Sequence, residues 1–174
     1  KNAVAYYDRG VIYIDLGDYE RAIQDYTKAI ELDPQYIDAY YNRGKTYYEM
    51  KEYENAVSDL TIAITLNPKY SDAYSLRGNA HLGLYQPELS IQDYTTALQL
   101  DPQDFKTFFN RGVVYLAIDE YQLAIADFTS ALQISPWLAE AYYQRGLAYQ
   151  HILRANDAEA DFAKYKELTG QDAP

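Results

Sequence analysis

The chain has 174 residues, 48% hydrophobic and 24% charged, a balance ordinary for a folded protein. Its net charge of −11 repels phosphate backbones and anionic lipid, and no apolar run approaches the ~18 residues of a membrane span, so nucleic acid and membrane are excluded as partners. Cysteine is absent, which removes disulfides and thiolate metal sites, while aromatic content reaches 16% with 21 tyrosines. No charged-then-apolar leader resembling a signal peptide is present, and nothing in the composition names a compartment. The start at Lys1 instead of methionine predicts a fragment or a processed product.

In chain order, a first helix is predicted over roughly Val4 to Leu16, with Gly17 suited to the left-handed residue beyond its end. Asp18 suits a helix start, and a second helix is predicted over roughly Tyr19 to Leu32, with Glu20 on the favourable end of the dipole. The proline of "LDPQY" stops it, because the residue before a proline is pushed out of the helical region. The next helix carries "AYYNRGKTYY", residues 39–48, where Gly44 interrupts a tyrosine face at an intrinsic cost of about 1 kcal/mol.

This arrangement recurs every 34 residues. Arg9-Gly10, Arg43-Gly44, Arg77-Gly78, Arg111-Gly112 and Arg145-Gly146 keep that step, as do Asp25, Asp59, Asp93, Asp127 and Asp161, and Pro34, Pro68, Pro102 and Pro136. Five units follow, 3–36, 37–70, 71–104, 105–138 and 139–172, in one domain over 1–174. The glycine marks a close approach of the two helices of a unit, where Ala56 and Ala63 also keep side chains small. Each arginine is expected to meet an aspartate, of its own unit or of the unit before, or else both are solvated charges. The third unit departs most: Pro87 stands where Tyr19, Tyr53 and Tyr121 stand, and predicts a locally altered turn.

The pattern resembles the tetratricopeptide repeat (TPR) family over essentially the whole chain. The family's large aromatic, Gly and Tyr in helix A, then Ala, aromatic, Ala and Pro, are met by Tyr6, Gly10, Tyr13, Ala22, Tyr26, Ala29 and Pro34 in the first unit. The second unit reads Tyr40, Gly44, Tyr47, Ala56, Leu60, Ala63 and Pro68. The resemblance implies an all-α, right-handed superhelical α-solenoid of five helix-turn-helix units, ten helices, whose A helices line a concave groove that holds partner peptides. On that reading the groove residues are Tyr7, Tyr41, Asn42, Lys45, Tyr48, Asn79, Leu82, Phe109, Asn110, Tyr143 and Gln144: aromatic anchors among amides able to bond a peptide backbone.

Members of the family that hold a chaperone tail use a carboxylate clamp of Lys and Asn. Its positions fall here on Tyr7, Val11, Asn42, Asp72 and Leu76, of which only Asn42 matches, so no chaperone-tail clamp is expected. Chemistry is equally sparse. His81 occupies the place of Tyr13, Tyr47, Tyr115 and Tyr149 and reads as packing, and no nucleophile, phosphate-binding or metal motif is present. The expectation is a non-enzymatic protein-interaction scaffold without cofactor. Glu159 and Lys166, replacing apolar residues of the other units, predict a polar face that ends the array. Ala5, Ile12 and Leu16 predict an uncapped N-terminal face, and hence the alternative of an assembly module that forms homo-oligomers through that end.

Overall fold

The computed structural model describes residues 2–172. Among these, ten α-helices form five antiparallel hairpins: α1 (Ala3–Asp15) with α2 (Tyr19–Leu32), α3 (Ile37–Glu49) with α4 (Tyr53–Leu66), α5 (Ser71–Gly83) with α6 (Pro87–Leu100), α7 (Phe105–Ala117) with α8 (Tyr121–Ile134), and α9 (Ala139–His151) with α10 (Ala155–Thr169). No strand occurs among the described residues, and none of their helices is long and apolar enough to cross a membrane. The hairpins fall into two compact units, Lys1–Leu100 and Asp101–Pro174. In the first, α2 packs on α3 and α4 on α5; in the second, α8 packs on α9. Within each unit the second helix of one hairpin thus packs on the first helix of the next.

One turn joins the two helices of every hairpin. Gly17, Lys51, Tyr85, Asp119 and Leu153 all take the left-handed conformation, with φ between 59° and 74°. The residue after each donates its N–H to the carbonyl five positions back, as Asp18 does to Tyr13 (2.8 Å) and Gln86 to His81 (2.9 Å). The altered turn expected at Pro87 is therefore not found. Proline sits at the first position of α6, where the N–H has no partner to lose. Asp18 caps α2 as expected, its Oδ1 accepting from the Arg21 N–H at 3.1 Å.

The interior repeats too. Ala22, Tyr26 and Ala29 of α2, Ala56, Leu60 and Ala63 of α4, and Ala124, Phe128 and Ala131 of α8 are all buried. The large residue in each set lies on the glycine of its partner helix. A Cβ added to Gly10 would stand 2.7 Å from the Tyr26 ring, one on Gly112 2.8 Å from Phe128, and one on Gly146 2.5 Å from Phe162. At Gly44 the neighbour is the Leu60 Cγ, at 3.0 Å. The glycine's propensity cost is offset by seating a ring whose complete burial is worth about 1.5–3 kcal/mol.

Candidate binding surface on the first helix of each hairpin

The first helices are oriented by the arginine next to each glycine. Arg43 holds its own hairpin's Asp59 through Nε and a terminal nitrogen, at 2.7 and 2.8 Å, and its other terminal nitrogen donates to Thr27 Oγ1 of the preceding hairpin at 2.9 Å. Arg77 does the same with Asp93 and Thr61, and Arg145 with Asp161 and Thr129. Arg9 pairs with Asp25 and Arg111 with Asp127 in the same two-pronged geometry. Of the alternatives open in the sequence, the pairing is within a hairpin. The threonine partners keep the 34-residue step, at Thr27, Thr61 and Thr129, a signal that the charged residues overshadowed. Bidentate geometry fixes both angle and distance, so each arginine sets helix orientation inside its hairpin, and Arg43, Arg77 and Arg145 also set height against the preceding hairpin.

In the first unit this places Tyr7 against Tyr36 (ring centroids 5.0 Å apart) and Tyr26 (5.8 Å), and Tyr41 in a stack on Tyr70 (4.8 Å). Asn42 of α3 donates its amide to the Tyr7 hydroxyl of α1 at 2.8 Å, bringing two of the expected site residues together. Lys45 is exposed one turn further on, and Leu82 is exposed near the end of α5. Tyr48 packs on Tyr53 of α4, 5.7 Å between centroids, so part of its ring serves the hairpin. The Asn79 Oδ1 accepts from the buried Tyr94 hydroxyl.

In the second unit Phe109 tilts onto Phe128 (5.8 Å), Asn110 is half-buried, and Tyr143 lies on Phe162 (6.1 Å) and Tyr165 (5.5 Å). Gln144 donates to Glu140 at 2.8 Å. The amides of Asn42, Asn79 and Gln144 thus already engage protein groups. Tyr36 and Tyr70, which lie just before the first helices, were not singled out from the sequence. Their own 34-residue step was the available signal.

Burial pushes the Tyr41 hydroxyl up to about 12, and the Asp72 carboxylate adds to the rise. Tyr7 also rises, through burial and then the charge of Asp38, while the Asn42 hydrogen bond opposes this. These phenols are neutral donors at physiological pH, suited to peptide carbonyls and to covering apolar side chains. His81 packs as expected: its Nδ1 meets Gln86 Oε1 at 2.8 Å and its Nε2 lies 3.7 Å from Asp93.

The helix ends differ from the interior. Ile12 is 55% exposed, where Thr46, Ala80, Val114 and Ala148 at the same step are buried, and Arg9 is 56% exposed against 16% for Arg43. At the other end Glu159 and Lys166 are exposed as expected, and Lys166 pairs with Asp172 at 2.6 Å. A cleft of about 340 Å³ nevertheless opens beside Glu159, between Phe162, Ala158 and the turn residue Leu153.

Family comparison finds repeats of one kind along the chain, two of them in phase with the second and third hairpins. Three family models described as tetratricopeptide repeat match residues 37–70, 71–104 and 93–126, and a fourth, described as TPR repeat, matches residues 10–51. The first TPR of Spaghetti (RPAP3), solved with the HSP90 peptide SRMEEVD, is 32% identical; the match covers 67% of this chain and 93% of that one, at a TM-score of 0.66. The chain belongs to the tetratricopeptide repeat family. Among solved TPR-like structures, MamA protein is 26% identical, with 97% of this chain and 92% of that one covered at a TM-score of 0.90. YrrB, a TPR protein with an unusual peptide-binding site, is 24% identical over 98% of this chain and 88% of that one, with a TM-score of 0.84, and the likeness supports the fold. The α-solenoid class expected from the repeat is thereby met. A search of curated proteins by sequence gave no match.

Proposed function

We propose that the TPR hairpins form a non-enzymatic interaction module, holding an extended peptide or protein segment along the first helices. The observation that carries this reading is the half-buried aromatic series Tyr7, Tyr41, Phe109 and Tyr143. Each ring is pinned by a second ring and flanked by polar side chains, so each offers apolar area with little entropy left to lose. The likeness to a TPR domain solved with a bound peptide supports the class of ligand.

That neighbour's peptide, SRMEEVD, is acidic, and this chain is proposed to refuse it. Asp72 and Leu76 stand where a clamp would need donors, and the surrounding helices are themselves acidic. The test is binding of a selected peptide to the wild type and to the Tyr41→Ala/Tyr143→Ala double variant, with folding checked by circular dichroism. Loss of binding supports the proposal, and retained binding contradicts it.

A second reading rests on the exposed Ile12, Leu16 and Val4, an apolar strip suited to self-association through the N-terminal end. Light scattering that shows a concentration-dependent dimer abolished by Ile12→Glu would favour it, and a monomer at all concentrations would remove it.

A further inference from the structure

Between α1, α2 and α3 lies a cleft of about 350 Å³, at the small end of the range for ligand pockets, about 300–1,000 Å³. Its floor is apolar and aromatic, made by Val11, Ile14, Tyr19 and Tyr26, and Asp15 and Glu49 stand on its two sides. The same space exists between the second and third hairpins and between the fourth and fifth, but is filled there. Between the second and third, Tyr48 packs on Tyr53, and Gly83 admits the Tyr53 ring, whose nearest carbon lies 2.7 Å from where a Cβ would be. Between the fourth and fifth, His151 stacks on Tyr121 at 4.5 Å and 8°. Ile14 in place of Tyr48, and Glu49 in place of Gly83 or His151, leave the first cleft open and put a carboxylate at its wall.

Charge completes the description. On α1, α3 and α5 every arginine is committed to a buried aspartate, through the pairs Arg9–Asp25, Arg43–Asp59 and Arg77–Asp93. Asp8, Asp15, Asp38, Glu49 and Asp72 on the same helices have no ion-pair or hydrogen-bond partner among the described residues. Lys45, on the cleft rim, is the one lysine those three helices carry. A narrow cavity with an aromatic and aliphatic floor, flanked by two unpaired carboxylates, matches a long alkyl stem that ends in a cation.

We propose that this cleft receives a lysine or arginine side chain of the bound peptide, its stem on Tyr19, Tyr26 and Ile14 and its charged head between Asp15 and Glu49. The inference rests on the peptide-binding reading above and names its partner class: a basic, extended segment. Such binding weakens as salt rises, because exposed carboxylates are screened over roughly 8–10 Å at physiological ionic strength.

The test begins with selection of a random twelve-residue phage-displayed peptide library on the purified chain. Selected peptides are expected to share one Lys or Arg position. Replacing that residue by norleucine, or the cleft by Asp15→Asn/Glu49→Gln, is expected to weaken binding about tenfold, the scale of one close charge contact. Both carboxylates are exposed and unpaired, so these isosteric changes leave folding intact. Glu49→Lys is expected to shift selection toward acidic residues at that position.

Peptides that lose binding in the Tyr41→Ala/Tyr143→Ala variant, yet share no basic position and ignore Asp15→Asn/Glu49→Gln, overturn the cleft assignment and leave the peptide-binding reading standing. Failure to select any peptide sensitive to Tyr41→Ala/Tyr143→Ala removes both.

Discussion

Arg43 grips Asp59 with two hydrogen bonds, 2.7 and 2.8 Å long, and keeps one terminal nitrogen for Thr27 of the preceding hairpin. Asp59 is almost fully buried and Arg43 is 16% exposed, so neither group has water to fall back on. Asp59→Ala leaves a largely desolvated guanidinium without its counter-charge and is expected to cost about 3 kcal/mol. The Arg43/Asp59 double-mutant cycle, measured by urea unfolding, is expected to show strong coupling. At Arg9/Asp25, where the arginine is 56% exposed, the coupling is expected to be clearly smaller. Additive single losses at Arg43/Asp59 would contradict the pairing's role.

Glycine substitutions grade the hairpin interface. In Gly112→Ala the new Cβ stands 2.8 Å from the Phe128 ring, which is fully buried and held on all sides. Overpacking of about 1–3 kcal/mol exceeds the alanine's propensity gain of about 1 kcal/mol, so net destabilisation is expected. In Gly44→Ala the nearest atom is the Leu60 Cγ at 3.0 Å, followed by the Asp59 Cβ at 3.3 Å and the Ala56 carbonyl at 3.4 Å, and the smaller overlap is expected to cost less than in Gly112→Ala. Thermal unfolding of the two variants side by side checks the order, and equal effects would contradict it.

Ser90 places a hydroxyl where Ala22, Ala56, Ala124 and Ala158 stand, and its buried Oγ lies beside the Tyr94 hydroxyl without a well-formed hydrogen bond. Ser90→Ala removes a desolvated polar group without opening a cavity and is expected to stabilise the chain by about 1 kcal/mol. Denaturant midpoints of the two proteins measure it directly. A loss of stability would mean that the hydroxyl has a partner.

Alkaline pH is expected to loosen the first unit. Tyr41 ionises near 12 in the folded chain, against 10.0 unperturbed, because burial first and Asp72 second oppose the phenolate. The unfolded chain therefore gives up this proton first as pH rises. Tyr41's contribution is intact below pH 10 and is lost between 10 and 12. Tyr41→Phe is expected to flatten the fall of unfolding free energy across that window, and an unchanged slope would contradict the assignment.

The repeat made the fold legible because helix stops, small contact residues and paired charges all keep one 34-residue step. Gly17 announced its left-handed turn, whereas Lys51, Tyr85, Asp119 and Leu153 adopt the same turn without a glycine's signal, held by the hydrogen bonds around it. The candidate surface was legible only in part. Asn42 and Asn79 are polar residues on the expected helices, yet their bonds to Tyr7 and Tyr94 depend on how high one helix sits against another. The open cleft was hidden for a related reason: Ile14 and Glu49 are unremarkable singly, and become a cavity only because rings fill the same space elsewhere.

The most direct test of the account is a backbone and side-chain chemical-shift map of the chain titrated with a selected peptide. Shifts concentrated on α1, α3, α7 and α9, centred on Tyr7, Tyr41, Phe109 and Tyr143, are the expected result. Shifts confined to the second helices α2, α4, α8 and α10, with those four residues unmoved, would contradict it.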